Sequence, residues 1–276
     1  MLFPDNIGVH LSLDETSLSK GELYTYLTNK KGTLVACIRG MKTSQISNVI
    51  TKIPLEERLK IEEVTIDMAR NMEAAVRKCF PNAQIVTDRF HVVKLVLDGL
   101  QHLRIKLRWD AIEQENKRIK EAKDNGVKFK PKEFDNGDTL KQLLARSRYI
   151  LAKKEKDWTE NQSIRAAILY EKYPELKKAY HHCMELRNIY ETKVKSRAEE
   201  QLNQWIEKTT ELKIEEFYTA ANSINYNKEN ILYFFNNRST NASAESFNSK
   251  IKLFRVNLRG VTDITFFLFR LYKLFA

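Results

Sequence analysis

Three acidic side chains stand where the surrounding residue pattern would let them share metal ions. Asp14 follows the run 7–13, in which Val9, Leu11 and Leu13 fall on one face and His10, Ser12 and Asp14 on the other, the alternation of a strand. Asp67 ends a β-rich run over residues 63–66 in EVTIDMARN. Two close carboxylates suit Mg²⁺ or Mn²⁺, because these ions take oxygen ligands and keep waters that a substrate phosphate can replace. Taken singly, each Asp is better read as the cap of a following turn or helix; the pair gains weight only with a third acid. Glu245 is that third acid. In NRSTNASAESFNSKIKLFRVNLRG, helical spacing aligns Asn241, Glu245, Asn248 and Lys252 in a polar stripe beside an apolar one of Ala244, Phe247, Ile251, Phe254 and Leu258. Such a helix packs on a sheet and still presents Glu245 beside it. Asn248, Lys250, Lys252, Arg255 and Arg259 then make a polar and basic run suited to DNA phosphates. The competing reading is an ordinary amphipathic surface helix with Glu245 in solvent.

The first hundred residues carry the elements that would position these acids. After the first strand come a turn at Lys20-Gly21, a second strand-like run LYTYLTN, a hairpin signal at Lys30-Lys31-Gly32 and a third run TLVACIRG. Residues 42–53 have helical spacing, residues 63–66 form a fourth strand, and a helix over 72–80 stops before Pro81. AQIVTD is the last strand of the set. The order β-β-β-α-β-α-β predicts an α/β fold with an RNase H-like mixed sheet, its acids at strand ends along one edge. From about residue 91 to 236 the pattern turns helical, broken by a polar loop over 123–138, with helices expected over 140–154, 161–172 and 174–208, the last as one long helix. The expected organisation is a core over 1–100, an all-helical insertion over 101–236, and the core resumed over 237–276 with the helix that carries Glu245.

Composition narrows the partners. The 276 residues carry a formal net charge of +11. Residues 1–100 hold 13 basic and 12 acidic side chains against 34 and 24 in the remainder, so the surplus lies in the later part. A basic surface of this size fits nucleic acid, since the sequence carries no lipid-binding stretch or lipidation signal. Apolar runs such as residues 266–269 are far too short to span a bilayer. The first residues lack the basic region, apolar run and cleavage site of a signal peptide, so the expected location is the cytoplasm. Cys37, Cys79 and Cys183 are odd in number and scattered, with no zinc-binding spacing, and read as buried thiols.

Four blocks carry a specific resemblance: LSLDETSLSKGELYT, VTIDMARNMEAAVRKCFPNAQIVTDRFHVVKL, NASAESFNSKIKLFR and RGVTDITFFLFRL. In this order they resemble the DDE transposases of the ISL-three type, and within them the short chains of Bacteroidetes elements. The helical stretch from LLARSRYIL to YPELKKAY is similar to the family's insertion, so the likeness covers nearly the full length. The resemblance implies that Asp14, Asp67 and Glu245 bind two Mg²⁺ or Mn²⁺ ions, and that the chain cleaves DNA at element ends and joins the ends to target DNA. Asp88 and His91, in DRFH, match the family's D-x-x-H signature. Asp88 also ends a core strand, so it could replace or supplement Asp67; motif order favours Asp67. His91 reads as a core histidine bonded to Asp88. Glu15, next to Asp14, falls on the opposite face of the strand. Related transposases carry a DNA-binding region ahead of the first Asp, where this sequence has thirteen residues. End recognition is therefore expected from a separate polypeptide, unless this copy is truncated; assembly on DNA is expected as a homo-oligomer. An RNase H-like nuclease or resolvase that never joins ends, and a non-catalytic DNA-binding remnant, are the alternatives.

Overall fold

A computed structural model describes residues 1–19, 21–260 and 263–276. Among them five strands form one mixed sheet. Strand β1 (His10–Ser19) pairs antiparallel with β2 (Glu22–Asn29), and β2 antiparallel with β3 (Leu34–Arg39). Helices α1 (Thr43–Ile50) and α2 (Leu55–Leu59) lead to β4 (Glu63–Ile66), and α3 (Arg70–Cys79) leads to β5 (Gln84–Thr87). Strand β4 lies parallel to β1 and β5 parallel to β4, giving the order β3-β2-β1-β4-β5. Every residue of β4 is buried, as a central parallel strand covered on both faces must be. In α3 the apolar Met72, Ala75, Val76 and Cys79 recur at helical spacing and face inward. That helix ends at Phe80, whose φ of −128° and ψ of 78° is the extended geometry Pro81 imposes on the residue before it.

The chain divides into two compact units, residues 1–92 with 227–276, and residues 93–226. Helix α4 (Arg89–Asp124) begins in the first and continues into the second. Helices α5 (Leu140–Arg146), α6 (Glu160–Lys172), α7 (Pro174–Ile189), α8 (Lys195–Leu212) and α9 (Tyr218–Tyr226) complete the second unit. The sheet unit resumes with α10 (Lys228–Asn237), α11 (Ala242–Asn257) and α12 (Ile264–Phe275). Two apolar clusters line its sheet. One joins Leu11, Leu13, Val64, Ile66 and Ile85 to Ile46 and Ile50 of α1 and Met72 and Val76 of α3. The other joins Tyr24, Tyr26 and Cys37 to Phe247 and Ile251 of α11 and Phe267 and Leu271 of α12. Helix α10 packs against β5, so the sheet unit resumes about ten residues before the expected boundary at 237.

Three local expectations change. The first strand does not stop at Leu13: pairing with β2 carries it to Ser19, so Asp14 lies within the strand, two residues past Ser12, the last residue paired with β4. Hydrogen bonding to β2 sustains extended backbone where the apolar alternation has lapsed. The helix expected over 140–154 reaches only Arg146, where Ser147 Oγ turns back to donate to the Leu143 carbonyl. The helix expected over 174–208 is two, because residues 190–194 tighten through Glu191 N to Asn188 O and Thr192 N to Ile189 O and leave Val194 extended. A short helix, α2, has no counterpart in the sequence reading.

The helical unit holds a buried charge. Asp138 is fully buried and accepts hydrogen bonds from Arg165 Nε at 2.6 Å, from Arg146 Nη1, and from Asn136 Nδ2 at 3.0 Å. Removing the acid leaves Arg165, 21% exposed, without its buried partner, while Arg146, 54% exposed, turns to solvent. Asp138→Ala is expected to cost about 2–3 kcal/mol, read as a lowered urea midpoint by circular dichroism. An unchanged midpoint would refute this role.

Candidate metal centre

Parallel strands that lie side by side end side by side, so the acids that follow them meet at one sheet edge, the usual position of ligand sites in α/β folds. Asp14 lies in β1 past its pairing with β4, Asp67 follows β4, and Asp88 follows β5. Each carboxylate is held by the backbone or by α11. Asp14 is 8% exposed; its Oδ1 accepts from Glu15 N at 2.8 Å and its Oδ2 from Asn248 Nδ2 at 2.6 Å. Asp67 Oδ1 accepts from Ala69 N at 2.8 Å, and Asp88 Oδ1 from Asn241 N at 3.3 Å. For Asp88 the capping and clustering readings are compatible, since Oδ1 accepts from the backbone while Oδ2 has no partner among the described residues. Glu245 sits in the first turn of α11, and His91 in the first turn of α4. Asp88, His91 and Glu245 each offer a ligand atom within 4.8 Å of the other two.

Crowded charge of one sign shows in the acidities. The Asp14 carboxyl is pushed up to about 6, first by burial and then by Asp67 and Glu15, while the Glu15 amide and His91 act in the opposite sense. Burial also raises Asp88; burial and Asp88 together raise Glu245; burial and Asp67 together raise Glu15. His91 opposes the shift in all four, which puts its imidazole within electrostatic reach of both acid pairs. Several buried polar atoms here lack a hydrogen-bond partner among the described residues: Asp88 Oδ2, Glu245 Oε1, Glu15 Oε2, Asn248 Oδ1 and both side-chain amide atoms of Asn241. An unsatisfied buried oxygen costs on the order of 1–3 kcal/mol, more when charged. Carboxylate oxygens without partners at one sheet edge are a donor set that fits Mg²⁺ or Mn²⁺.

The expected site residues fall into two groups. Asp14 and Asp67 lie within electrostatic reach of one another, Asp88, His91 and Glu245 form a second group that His91 joins to the first, and Glu15 feels Asp67. Asn248, expected at the DNA surface, is instead 9% exposed and bonded to Asp14. Lys250, Lys252, Arg255 and Arg259 are exposed along and just beyond α11, with Arg255 Nη1 3.4 Å from the Ser17 carbonyl and Lys250 over the Phe275 ring. His91 is not a core histidine bonded to Asp88. Its side chain is 29% exposed, and Nε2 lies 4.0 Å from Asp88 Oδ2, beyond hydrogen-bond range, because the first turn of α4 carries the ring outward over the edge. The anchoring roles of Asn241 and Asn248 escaped the sequence reading. For Asn248 its place in the same polar stripe as Glu245 was the signal; Asn241 acts through its backbone N–H, which no side-chain pattern announces.

Residues 11–271 match the family described as Transposase, of the DDE ISL-three type, and the chain belongs to that family. No curated protein and no solved structure matches it. Among the described residues no helix is long and apolar enough to cross a membrane.

The raised Asp14 acidity sets a sign for stability. A carboxyl that is harder to ionise when folded favours folding at low pH; that contribution is lost as pH rises from about 4 to about 6. At pH 7.5 the metal-free protein therefore bears the full cost, on the order of 2–3 kcal/mol. Asp14→Asn removes it, and Asn248 rotates its unpartnered Oδ1 to accept from the new amide. The variant is expected to melt higher than the parent in EDTA at pH 7.5 by calorimetry. A lower melting temperature would show that the site is not strained by charge.

Proposed function

We propose that the chain is the catalytic core of an insertion-sequence transposase in which Asp14, Asp67 and Glu245 hold two Mg²⁺ or Mn²⁺ ions. The hydrogen bond from Asn248 to Asp14 carries this reading, because it seats α11 on β1 and brings Glu245, one helical turn earlier, to the edge where the strand-borne acids lie. The strand order β3-β2-β1-β4-β5, with β2 antiparallel to its neighbours, supports an RNase H-like core. Asp67 is the preferred second acid because β4 is the direct neighbour of β1 and its charge acts on Asp14. When bound, such ions act as Lewis acids on the attacking and departing oxygens of a phosphodiester.

The protein's part is positioning. Asn248 fixes the Asp14 rotamer, the Ala69 amide orients Asp67, and the Asn241 amide holds Asp88 beside Glu245. Water attacks the phosphodiester at the element end and releases a 3′-hydroxyl, which then attacks target DNA; no covalent bond to the protein forms. Lys250, Lys252, Arg255 and Arg259 neutralise phosphates next to the reacting strand. The basic surplus after residue 100 gives the helical unit a share in holding DNA or a second subunit.

Plasmid nicking and the joining of a pre-cut oligonucleotide end to plasmid test this directly. Asp14→Asn, Asp67→Asn and Glu245→Gln are each expected to lower both reactions by roughly 10³-fold or more, with unchanged circular dichroism. Full activity in any one variant removes that residue from the triad; nicking without joining in the parent identifies a nuclease, and DNA binding without either reaction a remnant. Neutralising Lys250, Lys252, Arg255 or Arg259 is expected to lower the slope of log affinity against log salt by about one each. Unchanged slopes would place DNA elsewhere.

A further inference from the structure

His91 stands apart from the carboxylate triad in chemistry and in what surrounds it. Its Nε2 lies 4.0 Å from Asp88 Oδ2, too far for a hydrogen bond. Two donors bound to one ion at about 2.0–2.2 Å each lie up to about 4.4 Å apart, so the gap has the width of a shared cation. Glu245 closes the group, with all three ligand atoms mutually within 4.8 Å.

A second observation points to a ligand. Asp88 is 2% exposed, and its Oδ2, the oxygen turned toward His91, has no hydrogen-bond partner among the described residues, while Oδ1 accepts from the Asn241 backbone N–H. Glu245 Oε1 is likewise unpartnered. A carboxylate oxygen buried this deeply and left bare is costly unless something positive meets it. The charged side chains about this space are Asp88 at the end of β5, Arg89 and His91 from α4, Glu245 from α11 and, within electrostatic reach of His91, Asp14 and Glu15 of β1. His91 is the one nitrogen donor that the described residues bring into the group.

We infer that Asp88, His91 and Glu245 form a cation subsite with one nitrogen and two oxygen donors, and that the imidazole gives it a preference for a first-row transition ion such as Mn²⁺ over Mg²⁺. Magnesium favours oxygen donors and its own waters, whereas imidazole binds the transition ions well. The inference deepens the reading of the site as a two-cation centre and rests on it for the sharing of Glu245 between the triad and this subsite. It gives the D-x-x-H pair a chemical role: Asp88 supplies the buried charge, and one helical turn later His91 supplies the donor that discriminates between ions.

Mn²⁺ is both ligand and spectroscopic probe. Electron spin-echo modulation of the Mn²⁺-loaded, full-length protein is expected to show a ¹⁴N coupling that disappears in His91→Ala and in His91→Gln, with folding verified by circular dichroism. His91→Gln keeps an oxygen donor, so it is expected to retain Mg²⁺ binding within about twofold while Mn²⁺ affinity by calorimetry falls tenfold or more. Absence of ¹⁴N coupling in the parent, its persistence in both variants, or equal losses of the two ions overturns the inference. The two readings fail separately. Triad-dependent DNA cleavage with no ¹⁴N coupling sinks only the histidine subsite, whereas ¹⁴N coupling with cleavage indifferent to Asp14 and Asp67 sinks the transposase triad.

Discussion

One hydrogen bond, from Asn248 Nδ2 to Asp14 Oδ2 at 2.6 Å, joins residues 234 positions apart and governs the geometry of the whole edge. Without it, α11 would rest on the sheet mainly through Phe247 and Ile251, flanked by Phe254, contacts that are apolar and tolerant of rotation. A charge-assisted bond to a buried carboxylate is directional and specifies which face of the helix looks at β1. Glu245 lies one turn earlier on that helix, so its position is a consequence. The turn before α11 is pinned in the same way, by the Asn241 amide on Asp88. The exit from α10 reaches that turn through Arg238 in the left-handed region, φ 52°.

The cost of this arrangement is paid by the metal-free fold. Burial raises Asp14, Asp88, Glu15 and Glu245, like charge adds to the shift in all but Asp88, and several oxygens among them find no donor among the described residues. The apolar clusters on the two faces of the sheet, and the α1 and α3 layer, hold the strands in place against this repulsion. A site that is unfavourable alone and favourable with cations couples folding to metal binding, since an ion that binds the native state adds its own free energy to stability.

Much of this was readable in the chain. Residues 63–66 stand in the structure as the strand β4, the alternation before Asp14 located β1, and the run AQIVTD located β5, because buried strands have few alternatives to apolar side chains. The parallel placement of β1 and β4 brought Asp14 and Asp67 to one edge without any local signal. The end of β1 was misjudged because pairing with β2, a property of a partner strand, kept polar residues extended. The break between α7 and α8 was hidden because residues 190–194 contain neither Gly nor Pro. Asn248 read as a phosphate contact because an amide in a basic run looks solvent-facing until the strand opposite is known.

The central claim is that carboxylates from β1, the ends of β4 and β5, and α11 converge to hold divalent cations. Anomalous diffraction from a crystal of the protein soaked in Mn²⁺ tests it most directly. Manganese peaks within about 2.0–2.3 Å of oxygens of Asp14, Asp67 and Glu245 are the expected result. Ordered density for these side chains with manganese bound elsewhere, or bound nowhere, would contradict the account.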